Sequence, residues 1–244
     1  MRSTQRWKIF GCWMMSLLVC PITQACAQGV DVSAKVLMSS QKLSRDDKHK
    51  DAPSTANVVV WLSSDSAKGT TPSHQTAYRL VQKDKQFIPH LLVVPTGSTV
   101  EFPNEDPFFH NVFSLFNGKR FDLGLYESGT SRSVRFSREG MSYIFCNIHP
   151  EMGAIILALS TPYYGISAAN GSVVIHNVPP GTYQLNAWSE IGQPIETTSM
   201  HKVVQVSNDA VHLGDIVLQP RDSSLENHKN KFGEDYQPVP DHRY

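Results

Sequence analysis

After residue 30 the chain never sustains a helical apolar period; short β-branched and aromatic runs recur instead, each closed by Gly, Pro, Asn or Asp. Such runs between turn formers read as strands, and a dozen in succession make an all-β fold the expectation. They are Val30 to Leu37, Ala56 to Leu62, His90 to Val94, Thr99 to Pro103, Asn111 to Leu115, Ser133 to Phe136, Ser142 to Cys146, Ala154 to Leu159, Ser172 to Asn177, Thr182 to Trp188, Lys202 to Val206 and His212 to Leu218. Asn170-Gly171 is a strong two-residue hairpin signal, and Pro179-Pro180-Gly181 and Pro95-Thr96-Gly97 read as turns. Ser39 to Ser54 is polar and dense in Lys and Asp, and residues 221–244 read as a disordered tail with almost no apolar periodicity.

At the N-terminus, Arg2, Arg6 and Lys8 precede the apolar stretch Ile9 to Ile22, which leads into Ala25-Cys26-Ala27. The stretch is shorter than the roughly 20 residues of a bilayer span. A cationic start, an apolar core and a small-x-small end form the pattern of a cleaved export signal, here residues 1–27. Thr23-Gln24-Ala25-Cys26 fits a lipidation site only in part, so export to the periplasm without a lipid anchor is the expectation. Cleavage would leave 217 residues with 19 basic against 22 acidic side chains, a net charge near −3. That surface lacks the basic stripe that phosphate binding requires, which argues against a nucleic-acid partner.

Cys12, Cys20 and Cys26 fall inside the expected signal, leaving Cys146 alone. An exported protein with one thiol has no internal disulfide to form, so the side chain is buried and inert, pairs between chains, or binds a metal. Its neighbourhood bears on the choice: Cys146-Asn147-Ile148-His149-Pro150-Glu151-Met152 is a C-x2-H-x2-M loop between two apolar runs. A loop this short can turn three side chains toward one ion, and Pro150 stiffens it. Thiolate and thioether with two imidazoles suit both oxidation states of copper, in a trigonal His2Cys site with a long, weak Met bond. His110, at the start of a run well upstream, is the best-placed source of the second imidazole. Zinc is the rival ion, but zinc sites complete their shell with thiolate, imidazole, carboxylate or water, so Met152 favours copper.

Taken singly these residues have plainer readings, His110 and His149 as loop histidines and Met152 as core filler. Only the combination with Cys146 makes a ligand set. His90, His74, His176, His201 and His212 show no metal spacing and are assigned structural roles, and Phe108 and Phe109 are read as core or rim.

The segment from Phe87 to Leu159 resembles the cupredoxins, and the spacing of Cys146, His149 and Met152 is most similar to that of the amicyanins. The resemblance implies a Greek-key β-sandwich over residues 80–162 with one type 1 copper. His110, Cys146 and His149 would be its equatorial ligands and Met152 its axial one, with Asn111 helping to hold the loop and the thiolate. Residues 30–62 and 164–219 resemble the carboxypeptidase regulatory-like, transthyretin-like β-sandwich. That likeness rests on Val58-Val59-Val60-Trp61-Leu62 and on the stretch from Ala169-Asn170-Gly171 through Pro179-Pro180-Gly181 to Leu185. In that family the two pieces follow each other quickly, whereas about a hundred residues separate them here. The copper domain is therefore expected as an insertion, with residues 28–79 and 163–220 forming the host; consecutive domains or one merged sandwich are the alternatives.

The function this implies is one-electron transfer in the periplasm, with a redox partner met transiently over a small surface near His149. Copper delivery, storage or sensing, and a structural or ligand-binding sandwich, are the alternatives; methylamine oxidation is one context the amicyanin likeness implies. The chain has no H-x-H pair, no Ser/His/Asp order and no Gly-rich phosphate cradle, so an enzyme is not expected.

Overall fold

Each apolar run found in the sequence becomes a strand, within a computed structural model that describes residues 29–39, 54–64, 78–115, 118–194, 202–220 and 228–236. The strands are β1 (Val30–Met38), β2 (Val59–Ser63), β3 (Tyr78–Arg79), β4 (Val81–Lys83), β5 (Gln86–Ile88), β6 (Leu91–Pro95), β7 (Thr99–Pro103), β8 (His110–Ser114) and β9 (Phe121–Tyr126). They continue as β10 (Ser131–Arg135), β11 (Gly140–Phe145), β12 (Gly153–Leu159), β13 (Tyr164–Ile166), β14 (Ser172–Val178), β15 (Gly181–Trp188), β16 (Gly192–Pro194), β17 (Val203–Val206) and β18 (Val211–Pro220). The described residues contain no helix, and the all-β expectation holds. The expected signal, His74, His201 and most of the polar stretch from Ser39 to Ser54 lie outside the described residues.

Four sheets stack as layers. One sheet has the order β14-β1-β18-β16 and a second the order β13-β2-β15-β17. Between them lie Val32, Ala34 and Val36 of β1, Val58, Val60 and Leu62 around β2, and Tyr183, Leu185 and Ala187 of β15. The third sheet, β6-β12-β11-β8-β9, faces the fourth, β10-β7-β3, across a core that includes Phe102, Val112, Phe136, Ile144, Cys146, Met152 and Ile156. Strands β3 to β12 are thus one contiguous stretch with its own core, and the strands on either side of it close the other.

The two middle sheets also pack on each other, which follows from side-chain alternation along a strand. In β2, Val60 and Leu62 point into the first core, so Val59 and Trp61 point the opposite way and meet Val93, Leu157 and Leu159. Ala154, Ile156 and Ala158 of β12 join the second core while Leu157 and Leu159 face β2, so the strand is buried on both sides. Unbroken apolar sequence is the mark of a strand covered on both faces.

The turn signals give arches between sheets. At Asn170-Gly171, with Gly171 at φ 80°, a tight turn closes through Gly171 N–H on Ala168 O at 2.8 Å and Ala168 N–H on Ser172 O at 2.9 Å, and the flanking β13 and β14 then run in facing sheets. Pro179-Pro180-Gly181 passes from β14 to β15, and Pro95-Thr96-Gly97, closed by Ser98 N–H on Pro95 O at 3.1 Å, passes from β6 to β7. One tight hairpin carries no glycine: Asp84 and Lys85, between β4 and β5, both sit in the left-handed region at φ 53° and 55°. Such a turn is normally the province of Asn and Gly. Here the Asp106 carboxylate binds both turn amides, Asp84 N–H at 2.7 Å and Lys85 N–H at 3.0 Å.

Candidate metal centre

Strand order brings the sequence-distant residues together. Antiparallel β11 and β12 are neighbours, so the loop that joins them, Cys146 to Met152, closes one end of the third sheet. On its other side β11 pairs with antiparallel β8 through Phe145 and Phe113, so β8 begins, with His110, at that same end. The loop is tied by Cys146 N–H on Met152 O at 3.2 Å and Met152 N–H on His149 O at 3.1 Å.

Three side-chain atoms converge there. Cys146 Sγ lies 3.8 Å from His110 Nδ1 and 3.6 Å from His149 Nδ1, and the two nitrogens are 3.1 Å apart. A point equidistant from the corners of that triangle is about 2.0 Å from each, within the range of metal–nitrogen bonds and near that of metal–thiolate bonds. The donor set and its dimensions fit a single soft or borderline cation. His110 and Cys146 are fully buried, and His149 is half-buried. Met152 is fully buried in the same apolar core as Cys146.

The surroundings hold these atoms in place. His110 Nε2 meets Asp106 Oδ2 at 2.7 Å. A carboxylate only accepts, so Nε2 is the donor to Asp106, which leaves Nδ1 as the ring nitrogen that faces the sulfur. Asp106 is itself set by its amide, which donates to Asn104 Oδ1 at 3.1 Å, and by its bonds to the β4–β5 turn. Burial would raise its carboxyl, but the bonds from His110 and the Lys85 and Asp84 amides outweigh this and hold it below the usual carboxylate range. Burial pushes the Cys146 thiol up; amides of Asn111, Ile148 and His149 at the sulfur pull the other way, favouring a thiolate once a cation compensates burial. Burial also pushes His149 below the usual imidazole range, with His110 and Lys85 acting in the same direction.

Asn111 serves the site through its backbone amide. Its side chain points elsewhere: Nδ2 donates to Asp122 Oδ1 at 2.7 Å. The ring of Phe108 lies 5.1 Å from His110 and 5.7 Å from His149, so it caps the pair, while Phe109 is 55% exposed. The other histidines take local partners: His90 pairs with Glu190, His176 with Asp31 and His212 with Ser33.

Sequence reasoning missed two contributors. Asp106 lies four residues before His110, a separation whose meaning depends on the folded loop. The second is residues 228–236, within the stretch read as a tail. His228 stacks on Phe145 at 3.9 Å between ring centroids, and Tyr236 O–H reaches Cys146 O at 2.8 Å. No signal short of the structure assigns such a segment to the loop it touches.

No family model matches the chain, and no curated protein matches it. Similar solved structures include a copper-containing nitrite reductase from Thermus scotoductus SA-01, 26% identical with a TM-score of 0.33, over 34% of this chain and 22% of that one. The chain thus spans about a fifth of that enzyme. A purple cupredoxin from Nitrosopumilus maritimus is 23% identical over 34% of this chain and 99% of its own, with a TM-score of 0.31. A reduced amicyanin variant is 20% identical over 37% of this chain and 97% of its own, with a TM-score of 0.32.

Proposed function

We propose that the protein is a periplasmic type 1 copper protein that binds one copper ion and takes part in one-electron transfer. The observation that carries this reading is the triangle of Cys146 Sγ, His110 Nδ1 and His149 Nδ1, all three atoms within 4.8 Å of one another. Copper bound there would supply a one-electron couple at a site whose ligands suit both of its oxidation states.

The protein's own residues would keep that site the same shape in both states. Asp106 fixes the His110 ring and its tautomer, three backbone amides hold the sulfur, and buried Met152 supplies a thioether as the weak fourth ligand. A site that cannot rearrange leaves little structural change to accompany electron transfer. Among the three ligands His149 is the one that is not fully buried, and it is the proposed exit. Its edge, with Phe108 beside it and Phe109 exposed nearby in sequence, would meet a partner transiently over a small surface. In this reading residues 80–162 are the copper domain, inserted in a transthyretin-like sandwich made by residues 28–79 and 163–220, and residues 1–27 direct export.

The test is anaerobic titration of the metal-free protein with Cu(II), followed by visible and electron paramagnetic resonance spectra. An intense visible thiolate-to-copper band at one equivalent, bleached and restored by ascorbate and ferricyanide, is the expected result. A colourless protein that holds Cu(II) would overturn the reading.

A further inference from the structure

The stretch around residues 228–236 is built as a closed unit. Asn230 Oδ1 accepts from Phe232 N–H at 2.9 Å and Glu234 N–H at 3.0 Å, while Asn230 N–H donates to Glu234 O at 2.9 Å. This turn brings the rings of His228 and Tyr236 to 5.2 Å, edge to face. Both then touch the ligand loop from the side opposite the copper-domain core. His228 Nε2 donates to Pro150 O at 2.8 Å while its ring covers Phe145, and Tyr236 O–H is bonded to Cys146 O. Between them Lys231 N–H donates to Asn147 Oδ1 at 3.0 Å. Lys231 Nζ reaches Asp122 Oδ2 at 2.8 Å, the carboxylate whose other oxygen accepts from Asn111.

We infer that residues 228–236 are a clasp that positions the metal-binding loop from outside. The contacts fall on Cys146, Asn147 and Pro150, three of the seven loop residues, and the Lys231–Asp122–Asn111 chain continues to β8, which carries His110. The ligand loop and the strand that supplies His110 are therefore both tied to one short segment that contributes no ligand itself. A carbonyl oxygen only accepts, so the Tyr236 phenol is the donor in its bond to Cys146 O. The loop is held in ligating shape before any ion arrives, and a bound ion can leave only if loop and clasp move together. Outer contacts of this kind are typically worth about 10- to 100-fold in metal affinity.

This inference rests on the copper reading, and its test separates the two. In the full-length metal-free protein carrying His228→Ala with Tyr236→Phe, amide hydrogen exchange across Cys146 to Met152 is expected to speed up about tenfold, with β12 unchanged. In the reduced, copper-loaded protein, transfer of Cu(I) to a chromogenic chelator is expected to speed up by a similar factor, about tenfold, while the visible band of the oxidised protein stays in place. Val203→Ala, at a side chain 64% exposed on β17 and outside the clasp, serves as the control and leaves both rates unchanged. Loop exchange within twofold of the parent would overturn the clasp whether or not copper binds. Faster loop exchange in a protein that takes up no copper would keep the clasp and sink the copper reading instead.

Discussion

Asp106 and His110 form a buried pair: the carboxylate is 5% exposed, the imidazole fully buried, and Oδ2 and Nε2 are 2.7 Å apart. The same carboxylate closes the left-handed turn at Asp84-Lys85, so the β4–β5 hairpin and the imidazole are positioned by one anion. A charge-assisted bond in such a setting is worth about 1.5–3 kcal/mol. A negative charge close behind a ligand favours the more positive state of the centre it faces. Asp106→Asn keeps the size and removes that charge, so the reduction potential of the copper-loaded protein should rise and its Cu(II) affinity should fall about 10- to 100-fold. Redox titration with a mediator set checks this; an unchanged or lower potential would contradict it.

The two sulfur residues should behave differently. Cys146 has amides of three residues directed at its sulfur, whereas Met152 enters the core as a neutral, polarizable side chain. Cys146→Ser should therefore abolish the intense visible band. Met152→Leu, nearly volume-conserving and costing less than about 1.5 kcal/mol in packing, should keep the band and shift the potential. Loss of the band in the leucine variant would mean that the thioether is required to form the thiolate–copper bond at all.

Metal uptake must also move a proton. Burial holds the metal-free Cys146 thiol above its ordinary pKa of 9.0, so at neutral pH the group is protonated and a cation must expel that proton to bind. His149 is held below the ordinary 6.5 and is already neutral at pH 7. From pH 7 to 8, binding should release one proton per ion, and apparent affinity should rise about tenfold per pH unit. Calorimetry in two buffers of different ionisation enthalpy counts the protons, and a count of zero would show that the thiol is already ionised or is not a ligand.

Much of this arrangement was legible in the sequence where chemistry is local. The C-x2-H-x2-M loop lies within seven residues, and Val58 to Leu62 and Ala154 to Leu159 are continuous apolar runs whose two faces both find cover. What escaped notice depended on tertiary context. Strand β9, Phe121-Asp122-Leu123-Gly124-Leu125-Tyr126, carries Asp and Gly that interrupt its apolar run, and becomes a strand because Phe121 and Leu123 pack on the second core beside β8. The β4–β5 turn lacks the glycine that would announce it, since Asp106, some twenty residues on, supplies the stabilisation. Residues 228–236 meet the loop through polar bonds, at Pro150 O and Cys146 O, and polarity without periodicity reads as a tail.

The ion pair of His90 and Glu190 links the loop before β6 to the loop after β15, beside the apolar contact between the second and third sheets that includes Leu91 and Trp188. Its hydrogen bond to Glu190 raises the His90 pKa above the ordinary 6.5, assisted by the Glu190 charge and opposed by burial. A raised histidine pKa means that the folded state holds the proton more tightly. The stabilisation is then fully present below about pH 6.5, the unfolded value, and is lost as pH rises through the folded pKa. His90 is 48% exposed, so screening keeps the contribution small. Denaturant melts of the parent at a series of pH values should show a modest loss of stability above the unfolded pKa, and Glu190→Gln should flatten that slope. Proton NMR of the His90 ring supplies the direct check, and a midpoint at or below 6.5 would show that the pair does not hold the proton.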